Sequence, residues 1–78
     1  MDLEIGAISV GASSSVAGKT TEGSHVRQDS GVIILAIKRS QEMRFNPSSD
    51  DRIEAGDFLI AMGQPAQLRR LEQMASPS

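Results

Sequence analysis

Residues Val32-Ile33-Ile34-Leu35-Ala36-Ile37 form an uninterrupted aliphatic run. A short run rich in β-branched residues reads as a strand that carries apolar side chains on both faces. Such a strand has to be covered twice. That is hard to achieve in a chain of 78 residues, because a domain this small buries only about 60% of the surface its unfolded chain exposes. There is no cysteine, so neither a disulfide nor a thiolate-bound metal can supply stability. The remaining common device is association with a second copy. The run therefore points to a single domain over residues 1–78, ordered from residue 3 to residue 74 and completed by dimerisation.

The charge pattern narrows the partners. The formal net charge is −2 and the basic residues are dispersed along the chain. Nucleic-acid binding needs a clustered basic face, so no nucleic-acid partner is expected. Phe45 and Phe58 are the only aromatic residues, which leaves few platforms for stacked bases. The longest apolar run falls far short of the ~20 residues of a membrane span. No basic-then-apolar leader precedes it. A soluble, cytoplasmic domain is expected.

Strand signals recur on either side of the run. Leu3, Ile5 and Ala7 alternate with polar or small residues, and Ile8 and Val10 continue the alternation with the phase moved by one. Period two argues a strand, and the phase change beside Gly6 suggests a bulge. Gly11–Ser15 reads as a loop. Residues 20–27 read as a short helix, although Gly23 costs about 1 kcal/mol against alanine. Ser40-Gln41 suits a tight turn into a partner strand over residues 42–46. Residues 47–51 form a loop, and residues 52–55 suggest one helical turn. Phe58–Met62 is apolar on both alternating sets, so it too is expected to be buried on two sides. Pro65 suits the first position of a closing helix. Leu68, Leu71 and Met74 or Ala75 supply that helix's apolar stripe, with Arg69, Arg70 and Gln73 facing water. Residues 75–78 are expected to fray.

Candidate chemistry is sparse. Gly18-Lys19-Thr20 invites a phosphate-loop reading, but Ser13 stands where that loop needs its first glycine. A loop leading into the short helix is the better reading, and a nucleotide-hydrolysing enzyme has no further support. His25 is the sole histidine and cannot alone make an ordinary metal site. Asp50, Asp51, Glu54 and Asp57 lack the alternation of a calcium loop. Asp57 after Gly56 is expected to bond its own turn backbone. No catalytic residues, metal ligands or cofactor are assigned. Arg27 and Arg39 lie on either side of the apolar run. They read either as rim arginines in surface ion pairs or as bidentate partners of a phosphate.

The ordered wording resembles the TrkA-C domain, the C-terminal subdomain of the regulator-of-potassium-conductance family. The matching pieces are Ala17-Gly18-Lys19-Thr20, Val26-Arg27, Gly31-Val32, Ala36-Ile37-Lys38-Arg39 and Phe45-Asn46-Pro47. They continue through Ile53-Glu54-Ala55-Gly56-Asp57, Leu59-Ile60, Gly63 and Gln67-Leu68-Arg69-Arg70-Leu71-Glu72. The resemblance implies an α+β fold, a βαβββα unit with a mostly antiparallel sheet, which dimerises across the strand after Gly31. It implies a non-enzymatic regulatory, ligand-sensing domain on the cytoplasmic side of the cell membrane. Such a domain is part of a potassium channel or transporter and partners its membrane-embedded portion. Some members bind cyclic di-AMP at the dimer contact. Val26, Arg27, Ile33 and Ile34 match the ligand-binding positions of those members. Thr21 and Ser49 depart from the pattern, standing where an aliphatic residue and a second proline are usual. The alternative implied by those departures is a purely structural assembly domain.

Overall fold

The computed structural model describes residues 2–76. In chain order its elements are β1 (Glu4–Ser9), β2 (Lys19–Thr20), α1 (Val26–Ser30), β3 (Ile33–Arg39), β4 (Glu42–Phe45), β5 (Arg52–Ile53), β6 (Phe58–Gly63) and α2 (Pro65–Ala75). The main antiparallel sheet has the order β1-β6-β3-β4. Together with the two helices it makes the expected βαβββα unit. A second, two-stranded sheet pairs β2 with β5.

The two longest apolar stretches occupy the sheet's centre, β3 beside β6. Their inward residues Ile34, Ile37, Leu59 and Ala61 pack into the core with Ile8 of β1. Leu68, Leu71 and Ala75 of α2 cover that face. α2 starts where the sequence places it. Pro65 opens the helix, the Gln64 backbone N–H donates to Gln67 Oε1 at 2.8 Å, and the Gln67 N–H donates to the Gln64 carbonyl at 2.9 Å.

The two-sided burial expected of β3 and β6 is one-sided within a single chain. Ile33 is 48% exposed and Phe58 42%. Ladder registers place Ile5, Met62 and Ile33 in one row, and Ala7 and Ile60 in the next. Phe45 lies opposite Ala36, and Met43 opposite Lys38. The outer face of the sheet is thus an apolar surface, with Ile5 and Phe45 well exposed on it.

That face also explains the apparent phase change in β1. The β1–β6 register runs without interruption from Glu4–Gly63 to Ser9–Phe58. Ile5 points outward and Ile8 inward, so both sides of the strand are apolar and no bulge is needed. The irregularity lies instead in β3, between Ile34 and Ala36 opposite β6.

Three other expectations shift. The helix foreseen over residues 20–27 runs over Val26–Ser30. Thr20 pairs with Arg52 in a ladder, and the Thr21 and Glu22 backbone N–H groups donate to the Asp51 and Ser49 carbonyls. The left-handed His25 (φ 57°) then separates that segment from the helix. Residues 52–55 begin as strand β5, because the same ladder claims Arg52 and Ile53. Fraying does not begin at Ala75, which is fully buried and accepts a hydrogen bond from the Gly11 N–H at 2.8 Å. Residues 77 and 78 lie outside the described residues. No described helix is long and apolar enough to cross a membrane.

Candidate functional site

α1 is short, so its placement depends on the groups at its ends. The Ser24 hydroxyl donates to the Thr21 carbonyl at 2.7 Å and lies 3.4 Å from the Val26 N–H. At the other end the Ser30 hydroxyl donates to the Val26 carbonyl at 2.6 Å and accepts from the Val32 N–H at 3.3 Å. Ser24 and Ser30 are both buried, so these bonds are shielded from water. Val26 is fully buried in the core and anchors the turn. Arg27, the next residue, is thereby turned to the surface.

Gly31 closes α1 with φ 85°, and its N–H donates to the Arg27 carbonyl at 2.9 Å. A left-handed helix end favours glycine. A Cβ here would also meet Gln67 Nε2 at 2.8 Å, although the amide end of Gln67 has room to move. Gly31→Ala is expected to lower stability by about 1–2 kcal/mol, readable by urea unfolding. An unchanged midpoint would show that the corner is not strained.

Arg27 lines an open groove of about 760 Å³. The exposed Ile33 forms the apolar part of its wall, with Ile34 touching it at the edge while its side chain packs mainly in the core, and Asn46 and Pro47 close the side beyond β4. Glu22 and Gln28 supply further polar groups. Among the described residues Arg27 and Glu22 form no ion pair, with each other or with any other residue. The groove therefore holds an uncommitted guanidinium beside an aliphatic surface, a combination suited to a ligand with an anionic group and a flat apolar one.

Of the residues foreseen as ligand-binding, the fold brings Arg27, Ile33 and Ile34 to one groove. Val26 lies beneath it, with its side chain inside the core. Glu22 and Gln28 are not singled out by the sequence, and Asn46 enters there only within the Phe45-Asn46-Pro47 wording. They reach the groove through the turn before α1, through α1 itself and through the end of β4.

Arg39 is committed elsewhere. Its Nε donates to Asp57 Oδ1 and its Nη2 to Asp57 Oδ2, each at 2.9 Å. Nη2 also donates to the Arg52 carbonyl at 3.1 Å. Asp57 additionally accepts the Glu54 N–H at 2.8 Å, as its turn position suggested. Burial pushes the Asp57 carboxyl up, but the Arg39 hydrogen bonds, the Glu54 N–H and the Arg39 charge outweigh it and hold the carboxyl below its usual range. Lys19 and Thr20 of the phosphate-loop lookalike sit in β2, and the Gly18 N–H donates to the Ile53 carbonyl at 2.7 Å. His25 is exposed. Among the described residues no grouping of three His, Cys, Asp or Glu could hold a metal ion.

A mostly antiparallel sheet backed by one long helix, with a groove holding an unpaired arginine beside an exposed apolar face, defines a small α+β domain. The chain belongs to the TrkA-C domain family, whose model matches residues 5–76. It is 29% identical over 73 residues to probable potassium channel protein 2 of Methanocaldococcus jannaschii, covering 94% of this chain and 21% of that protein. The chain thus spans about a fifth of that relative's length. A solved regulator of conductance of K⁺ (RCK) C domain of the potassium transport protein KtrA, in complex with cyclic di-AMP, superposes with a TM-score of 0.82. The identity there is 29%, covering 92% of this chain and 82% of that one. The RCK_C domain dimer of S. agalactiae BusR in complex with cyclic di-AMP superposes with a TM-score of 0.87 at 24% identity, covering 96% and 93%. A longer BusR chain is solved with its busAB-promotor DNA.

Proposed function

We propose that this domain is a non-enzymatic ligand-sensing and dimerisation module of a potassium channel or potassium transporter, on the cytoplasmic side of the cell membrane. Its effector is cyclic di-AMP, held where two copies meet. The observation that carries the reading is the unpaired Arg27 beside the exposed Ile33, in a groove that Ile34 also lines. Ile33 belongs both to the groove and to the exposed outer face of the sheet. A second copy packed on that face brings two grooves and two Arg27 side chains together. This suits a dinucleotide with two phosphates and two bases. The ligand regulates a gate through unequal affinity for two arrangements of the paired domains. The dispersed basic residues and net charge of −2 support a domain that binds no nucleic acid of its own.

Glu22 favours a second reading. Its carboxylate lines the same groove and places a like charge near the phosphates. On that reading the domain serves assembly alone and the effector binds elsewhere in the parent protein. Calorimetric titration with cyclic di-AMP separates the two. The sensing reading expects a binding isotherm for the wild type and, for Arg27→Ala, an affinity lower by about 100-fold or more, since two charge-assisted contacts vanish. Arg27 is exposed, so the variant should melt like the wild type. An undiminished affinity in Arg27→Ala would remove the phosphate role. A flat wild-type titration would leave the assembly reading.

A further inference from the structure

We infer that Asn46 is the specificity-determining residue of this groove, its side-chain amide reading the edge of a 6-aminopurine that lies against Ile33. The inference rests on the nucleotide reading proposed above.

Asn46 is held beside that apolar wall by its own backbone. Its N–H donates to the Leu35 carbonyl at 2.8 Å, one residue beyond Ile34. The residue lines the groove and is exposed. Its amide makes no hydrogen bond among the described residues, so the carbonyl and the NH₂ are both free. The neighbouring Thr21 hydroxyl, by contrast, is spent on the Asp51 carbonyl at 2.9 Å.

Two other free polar groups, Arg27 and Glu22, fit other tasks, and the Gln28 amide stands on α1 rather than at the strand end bound to Leu35. Arg27 only donates and suits phosphate. Glu22 only accepts, and its carboxylate would oppose the ring nitrogens of a purine. An asparagine amide offers a donor and an acceptor side by side. These match the N7 acceptor and the 6-amino donor of adenine. Guanine presents two acceptors on the same edge, O6 and N7, so one half of the amide would face a like group. A bidentate pair of this kind discriminates between bases by about 10- to 100-fold.

Asn46 also has a backbone reason to be asparagine. Its φ is 52°, a left-handed conformation that asparagine and glycine tolerate. Asn46→Gly separates the two roles, because it keeps the conformation and removes the amide. Asn46→Asp keeps the shape and exchanges the donor for a second acceptor. Gln28→Ala, removing the groove's other amide, is the control.

The test is calorimetric titration of the wild type and these variants with cyclic di-AMP and with cyclic di-GMP, alongside thermal melts. The expected result is a wild-type preference for cyclic di-AMP of about tenfold or more. That preference should collapse toward unity in Asn46→Gly and Asn46→Asp and persist in Gln28→Ala. A wild-type preference retained in Asn46→Gly would overturn the assignment to Asn46 while leaving the nucleotide site standing. A wild type that binds neither nucleotide would overturn the site itself.

Discussion

Asp57→Ala is expected to lower the unfolding free energy by about 3 kcal/mol. The side chain is 1% exposed and serves three donors. Arg39 reaches it from the end of β3 through Nε and Nη2, and the Glu54 N–H reaches it across the turn before β6. The Val10 N–H is bound close by, at the Asp57 carbonyl. Removing the carboxylate leaves the Glu54 N–H without its acceptor and Arg39 without its counter-ion. Arg39 is 50% exposed and can rehydrate, which keeps the loss at the lower end for a broken buried pair. In a domain of this size each kcal/mol moves the melting temperature by about 4–8 °C, so the variant should melt far below the wild type.

The same carboxylate gives a signed pH dependence. Its folded-state pKa lies below the unfolded value, which is about 3.9. Its contribution is therefore fully present above that unfolded value and is lost as the pH falls through the folded value. The stability gap between wild type and Asp57→Ala should be widest near neutral pH and close in acid. Urea unfolding at several pH values checks this, and a gap that stays constant into strong acid would mean the ion pair is not its source.

Ile33→Asp is expected to weaken the dimer by about 100-fold or more while leaving the monomer folded. Ile33 is half exposed in one chain and stands in the outward row with Ile5 and Met62. If a second copy covers that row, each Ile33 gains roughly 1.5 kcal/mol from burial. Two per dimer amount to about 3 kcal/mol, or two decades in the dissociation constant. The introduced carboxylates add the cost of desolvating like charges. Sedimentation equilibrium reads the result directly. A variant that dimerises as tightly as the wild type would place the contact on another surface.

The sheet was largely legible in the sequence because its central strands announce themselves. Val32–Ile37 and Phe58–Met62 are too apolar for any exposed element, and Pro65 after Gly63 marks where the chain turns into α2. The main topology followed from the family wording at those positions. The pairing of Lys19–Thr20 with Arg52–Ile53 had no local signal, since each strand spans only two residues. Without it, the polar residues 20–27 looked helical. The phase change beside Gly6 reads as a bulge in β1 only while one face of that strand is assumed to be apolar. The exposure of Ile5 becomes intelligible once the whole outer face is seen to be apolar.

The groove was legible in part. Arg27, Ile33 and Ile34 could be carried over from the family position by position, and they do line one groove. Val26 matched the same motif but is spent on the core. The role of Arg39 depends on Asp57, eighteen residues away, and no spacing rule links two residues across a sheet and a turn. Asn46 and Glu22 enter the groove from separate loops, and only the fold brings them beside Arg27.

The central claim is that two copies of this chain share one effector. Titrating the dimer with cyclic di-AMP and reading the stoichiometry by calorimetry tests it most directly. The expected result is saturation at one nucleotide per two chains. A flat titration, or saturation at one nucleotide per chain on a monomer, would contradict it.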